Sequence, residues 1–266
     1  MDTVLITGVC GGMGSAAAKR LIDEGIKVIG MDVRKSCHVE GIRYYRVDLA
    51  SGDGLAEALA DMTANGIGLS AIVHMSGIYD MNSLIEISED SFSRIFEVNL
   101  FGIYRVNKTF FPLLEPASRI VMVSSELAPL DPLPFTGLYG ITKSAVEKYA
   151  FSLRMELNLL GHSVIVIRPG AVETGLLNAS TAALDKLCEN TELYKYNSNR
   201  FRNIVNRVEN KSVSPSKIAD LLWKALKSRR PKYVYSINRN PALRLLSLLP
   251  ARLQVAIIGG ILKTRN

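Results

Sequence analysis

Short apolar runs alternate with amphipathic stretches along most of the chain. Val4-Leu5-Ile6-Thr7, Lys27-Val28-Ile29-Gly30-Met31, Tyr44-Tyr45-Arg46-Val47, Ala71-Ile72-Val73-His74, Arg119-Ile120-Val121-Met122-Val123, Ser163-Val164-Ile165-Val166-Ile167 and Tyr233-Val234-Tyr235-Ser236-Ile237 have the length and β-branched content of strands. The fourth of these does not alternate, which predicts burial on both faces. Helical spacing fills the gaps: 15–22, then 54–63 with Leu55, Ala58, Leu59 and Met62 on one face, and a long helix over 91–114 carrying Phe92, Ile95, Phe96, Leu100 and Ile103. A further helix runs from Tyr139 through Phe151, Met155 and Leu159 to a C-cap at Gly161, and another follows Ser214-Pro215-Ser216 from Lys217 to Ser228. Strands alternating with helices predict an α/β fold, a doubly wound and mainly parallel seven-stranded sheet in one domain over 1–266.

Two regions break this rhythm. Residues 175–214 show low regularity and combine Tyr194, Tyr196 and Phe201 with Arg200, Arg202 and Arg207; a long connection at this place predicts a substrate-covering segment. Residues 239–266 form an apolar C-terminal helical extension with Arg244, Arg252, Lys263 and Arg265 beside it. That pattern suits a lid over an apolar pocket or peripheral contact with a membrane, and equally a dimer contact or core packing.

Charge sharpens the picture of this end. From Lys195 onward sixteen Lys and Arg face only Glu209 and Asp220, a local +14, whereas the preceding residues carry −7. An anionic membrane surface, an acidic substrate or an acidic subunit face would complement it, and a solvated basic surface without a partner also accounts for it. No nucleic-acid motif accompanies these residues, so nucleic acid is not expected. Three cysteines without metal-ligand spacing predict no metal site and a reducing compartment. No leader precedes the first strand and no run of ~20 apolar residues occurs, so a cytoplasmic protein is expected.

The candidate chemistry begins at the first strand, which turns through Gly8-Val9-Cys10-Gly11-Gly12-Met13-Gly14 into an alanine-rich helix. Glycines let the backbone approach a pyrophosphate, whose charge sits on free amides at the helix start. Asp32 ends the second strand, where a carboxylate accepts hydrogen bonds from ribose hydroxyls and repels a 2′-phosphate. It favours NAD over NADP, while Arg34 nearby is positioned to pair with such a phosphate. Tyr139 and Lys143, four residues apart, share a helix face. Bringing a phenol to neutrality takes about 4 kcal/mol, and a cation ~4 Å away supplies on the order of 4 kcal/mol at an effective dielectric of 20. The pair therefore reads as a general acid/base.

Thr7-Gly8-x-x-x-Gly12-Met13-Gly14 and Tyr139-x-x-x-Lys143 together resemble the cofactor loop and catalytic pair of the short-chain dehydrogenase/reductase family. The resemblance implies a Rossmann-type fold and assigns Asn99, Ser125, Tyr139 and Lys143 to catalysis. It places Asp48 and Leu49 at the adenine, Gly77 beside the cofactor, and Pro169, Gly170, Val172 and Thr174 around the nicotinamide. Ser125 lies 14 positions before Tyr139, one more than is usual in the family, with Ser124 as the alternative. The proline-rich loop between them is expected to line a substrate pocket with Leu127, Leu130 and Phe135. His74-Met75-Ser76-Gly77 stands where relatives usually carry Asn-Asn-Ala-Gly, and His74 reads as a structural histidine. The C-terminal end resembles hydroxysteroid- and retinol-dehydrogenase-like members, implying NAD(H)-dependent interconversion of a secondary alcohol and a ketone on a lipophilic, steroid-like or lipid substrate. A homodimer or homotetramer follows from the same resemblance. A 3-oxoacyl thioester reductase and a dinucleotide-sensing binding protein are the alternatives.

Overall fold

Period-two alternation along the strands sets the two faces of the sheet. The computed structural model describes residues 2–208 and 212–263, the side chains of 176–179 and 206–208 excepted; Arg207, Glu209 and Arg265 of the basic end lie outside what is described. The strands are β1 Thr3–Thr7, β2 Lys27–Asp32, β3 Ile42–Arg46, β4 Leu69–His74, β5 Leu114–Val123, β6 Ser163–Pro169 and β7 Val234–Ile237. They form one seven-stranded sheet in the order β3-β2-β1-β4-β5-β6-β7, parallel throughout. The helices are α1 Gly12–Asp23, α2 Leu55–Ala64, α3 Glu89–Phe96, α4 Gly102–Phe110, α5 Gly137–Asn158, α6 Gly175–Asn190, α7 Lys195–Val208, α8 Pro215–Lys227, α9 Pro241–Leu246 and α10 Ala251–Leu262.

Successive strand residues point to opposite faces. Val4, Ile6, Val73, Val121 and Ile165 join α1 and α8 in one core. Leu5 and Ile72 join α2 and α4 on the other face, and Ile120, Met122, Val164 and Val166 pack there against α4 and α5. Helices covering both faces leave the C-terminal strand ends as one open edge, with the order reversing between β1 and β4. Ligands bind at such a switch point in open α/β sheets.

Three stretches differ from the sequence-based expectation. The helix expected over 91–114 is α3, a π-helical turn at Glu97–Phe101, α4 and a 3-10 turn at Phe111–Leu113. Pro112, which lacks an N–H, lies within that last turn, and Leu114 already begins β5. The segment expected to be irregular over 175–214 instead contains α6 and α7, whose Leu184, Leu187 and Phe201 are buried with Met81, Phe135 and Leu262. The apolar residues of α7 are few, so its helical period was hard to read, and packing against α6 and α10 supplies the stability that propensity does not. β3 starts two residues earlier than expected, and Val47, just past its end, donates its N–H to the Asp32 carbonyl at 2.9 Å. Among the described residues no helix is long and apolar enough to cross a membrane.

His74 ends β4 fully enclosed, its Nε2 2.8 Å from Asn107 Oδ1. Its Nδ1 has no hydrogen-bond partner. A second ring proton would have nowhere to donate, and burial pushes the imidazole down to about 4. Between the ordinary value of 6.5 and about 4 the unfolded chain binds a proton that the folded chain refuses, so stability falls as pH falls through that window. His74→Asn should abolish this component: in urea unfolding, the loss between about pH 7 and about pH 4.5 should be smaller than in the parent by about 2.5 kcal/mol.

Candidate active site

The glycine turn after β1 is shaped by close backbone contacts. Gly8 has φ +69°, and a Cβ there would lie 2.7 Å from the Ser76 amide nitrogen; one at Gly14 would lie 2.1 Å from the Gly8 carbonyl oxygen. No larger residue fits either place. α1 begins at Gly12 without a side-chain cap, so its first amides face the cleft with the positive end of the helix dipole. Thr7 is buried and ties the turn to the end of β4: its carbonyl accepts from the Met75 N–H at 3.2 Å and its hydroxyl from the Ser76 N–H at 3.4 Å. These bonds hold the strands where Met75, an apolar residue in a position usually occupied by asparagine, has no side-chain amide to do so.

Both oxygens of Asp32 accept backbone amides, Oδ2 from Cys10 at 3.1 Å and Oδ1 from Arg34 at 3.2 Å. The Arg34 guanidinium folds back over the glycine turn and donates to the Cys10 carbonyl at 2.8 Å. Asp48 accepts the Ala50 N–H at 2.9 Å, and Leu49 is buried beneath Gly102, its carbonyl accepting from Arg105. These residues and the glycines form the half of the edge away from the main cavity. An open amide row, a glycine cradle and a carboxylate beyond it fit the pyrophosphate and ribose of a dinucleotide.

A cavity of about 250 Å³ occupies the other half. Met13, Gly77, Ser125, Leu127, Tyr139, Lys143, Pro169, Gly170, Val172 and Thr174, singled out in the sequence, all line it. Thr174 also faces the glycine turn, with its Cγ2 2.8 Å from where a Gly12 Cβ would stand. Ser124 and Ser125 separate by role. The Ser124 hydroxyl turns to the Lys143 carbonyl at 3.4 Å, whereas the Ser125 hydroxyl accepts the Leu127 N–H at 3.2 Å and lines the cavity with Tyr139, whose phenol it pulls downward. In the loop between Ser125 and Tyr139, Phe135 adopts φ +65° two residues before α5.

Lys143 is 4% exposed and donates from Nζ to the Val123 carbonyl at 3.1 Å, with Nζ 5.6 Å from the Tyr139 ring centroid. Burial pushes its ammonium down to about 8. Burial also pushes the Tyr139 phenol up to about 12, opposed by the Ser125 hydroxyl. In the protein alone the desolvation of both groups thus outweighs the downward pull expected of the lysine charge. Asn99, fully buried in the π-helical turn, clamps the Gly77 strand end: Oδ1 accepts the Ile78 N–H at 2.9 Å and Nδ2 donates to the Ile78 carbonyl at 3.0 Å and to Thr142 Oγ1 at 3.1 Å.

Two expected pocket residues lie elsewhere. Leu130 is half-buried outside the cavity, and Phe135 packs edge-on against Tyr194 and Phe201 under the C-terminal helices. In their place Tyr79, Met81, Glu126, Phe201 and Leu243 line the cavity. Tyr79 sits with its ring centroid 4.6 Å from that of Tyr139. Glu126, raised by burial, accepts the Asn240 N–H at 2.5 Å and so joins the catalytic loop to the start of α9. Of these, Phe201 lies in the segment expected to cover substrate and Leu243 in the extension expected as a lid, and Tyr79 and Glu126 each lie within two residues of an expected position; Met81 had no sequence signal.

Residues 2–185 match the family described as short chain dehydrogenase. A 3-ketodihydrosphingosine reductase of Bacteroides thetaiotaomicron is 24% identical over 86% of this chain and 85% of its own. Retinol dehydrogenase 16 of Mus musculus is 27% identical over 96% of this chain and 87% of its own. The fold is shared with 3-ketoacyl-(acyl-carrier-protein) reductase from Brucella melitensis complexed with NADH, at a TM-score of 0.71 and 20% identity over 89% of this chain and 96% of that one. With its parallel sheet, glycine turn and Tyr139-Lys143 pair at the strand ends, this chain belongs to the short-chain dehydrogenase family and is an NAD(P)-dependent oxidoreductase.

Proposed function

We propose that this protein interconverts a secondary alcohol and a ketone on a lipophilic substrate, using NAD(H) in preference to NADP(H). The observation that carries the reading is a phenol beside a buried ammonium, with a serine hydroxyl on the same cavity wall and Met13, Met81, Leu127, Phe201 and Leu243 among the lining residues. Ser125 holds the substrate oxygen, Tyr139 gives its proton to that oxygen in reduction and takes it back in oxidation, and Lys143 holds positive charge beside the phenol. The nicotinamide supplies or accepts the hydride. Asn99 keeps the Gly77 end of β4 against Lys143, and its π-helical setting is of the kind found at functional sites.

The apolar cavity supports a lipophilic skeleton, and the relatives named as a 3-ketodihydrosphingosine reductase and a retinol dehydrogenase agree with it. Asp32 supports NAD, because its carboxylate at the end of β2 repels a 2′-phosphate. Arg34 is committed to the Cys10 carbonyl, which keeps its charge over the glycine turn.

The reading is tested by following reduced-nicotinamide absorbance with purified protein against steroids, retinoids, long-chain secondary alcohols and acyl thioesters. Turnover of a lipophilic alcohol or ketone is expected; turnover confined to carrier-bound thioesters would replace it. Tyr139→Phe should lower kcat by about 10²–10⁴-fold while NADH binding stays nearly intact. Asp32→Ala should shift the ratio of kcat/KM for NADP over NAD upward by at least about tenfold, equivalent to about 1.4 kcal/mol. Lys143→Met should abolish turnover yet raise Tm, since holding that ammonium at about 8 instead of 10.5 costs roughly 3 kcal/mol at neutral pH.

A further inference from the structure

The C-terminal helix leaves most of its apolar side chains uncovered. Of the two polar side chains of α10, Arg252 is exposed and Gln254 turns inward: Gln254 is buried and donates through Nε2 to Asp131 Oδ2 at 2.8 Å and to the Leu249 carbonyl at 2.9 Å. Ile258 and Leu262 pack inward with it, but four other large apolar residues point outward, Val255 73% exposed, Leu253 50%, Ile257 41% and Ile261 41%. The preceding turn continues the surface with Leu248 at 79% and Leu245 at 66%. Leu84 and Ile85 adjoin it at the rim of an apolar groove whose floor includes Ile258. A helix at a water-facing surface normally shows the reverse pattern, and an apolar patch of this extent marks an interaction surface.

Charge identifies what covers it. Arg244, Arg252 and Lys263 stand exposed among these residues, and among the described residues no carboxylate pairs with any of them. No Asp or Glu occurs after Asp220. A second copy of the same face would bring cation against cation, which disfavours self-association. A bilayer with anionic headgroups satisfies both features at once, taking the apolar side chains into the headgroup and acyl boundary and the basic ones at the phosphates.

We propose that α9 and α10 form a docking face for an anionic lipid bilayer, and that it lies at the mouth of the catalytic cavity. Leu243 of α9 lines that cavity while Leu245, two residues on, faces outward. Glu126 holds the start of α9 against the loop that follows Ser125. A lipid leaving the bilayer would therefore meet the cavity without crossing water. The docking face stands independently of which alcohol or ketone is turned over.

The test is co-sedimentation of the full chain with phosphatidylcholine vesicles, with and without phosphatidylserine, scored by bound protein rather than by activity. The protein should partition onto the anionic vesicles, more weakly onto the neutral ones, and the anionic binding should fall as salt is raised. Leu248→Glu with Val255→Glu should reduce partition at least about tenfold, with Tm and NADH binding unchanged because both side chains point outward. Protein that stays in solution with anionic vesicles overturns the proposal, as does unchanged partition of the double variant. Light scattering that shows the same two substitutions splitting a dimer, with no vesicle binding by the parent, would assign the face to a second copy instead and overturns it too.

Discussion

The Lys143 ammonium is 4% exposed, and its Nζ donates to the carbonyl of Val123 at the last position of β5. Keeping a charge there costs stability, visible in the fall of its ionisation to about 8, and the neighbouring elements are arranged to hold it in place. Ser124 donates to the carbonyl of the same lysine, fixing α5 against the end of β5. Gly77 adjoins both groups: a Cβ there would stand in ordinary contact, 3.5 Å from Nζ and 3.4 Å from Asn99 Oδ1. Asn99 then binds both backbone groups of Ile78, so the end of β4 cannot drift from the lysine.

That one buried cation explains why catalytic and structural roles are hard to separate along this edge. Residues that hold a charged, desolvated group are spent on function, and a fold stabilises them from outside the site. The three apolar cores on the two faces of the sheet do so here. His74 belongs to the structural side of this division: neutral, enclosed and bound to Asn107, it tethers β4 to α4 rather than moving protons for the substrate.

The C-terminal third joins two demands that conflict in water. α6, α7 and α10 share a small core with Phe135 and Met81, and α6 and α7 line the cavity, while α9 and α10 leave apolar side chains outside. The inward Gln254 is the marker of this arrangement, because its bonds to Asp131 and Leu249 set which face of α10 turns away from the protein.

The strand runs, the glycine turn and the Tyr139-Lys143 spacing could be read from the chain alone, because each is a local pattern whose physical cause acts within a few residues. Periodicity decides which faces are apolar, glycine decides where the backbone can approach itself, and four residues bring two side chains onto one helix face. Matters that depend on distant parts of the chain were decided by the tertiary structure. Leu130 and Phe135 fall outside the cavity, whereas Tyr79, from the segment after β4, and Glu126 line it, a placement that depends on how distant segments pack. α7 has too few apolar positions to announce itself and exists through its contacts with α6 and α10. The ionisation of Tyr139 also reversed, because spacing measures the attraction of a neighbouring charge whereas burial, which only the whole fold determines, measures what both groups lose by leaving water.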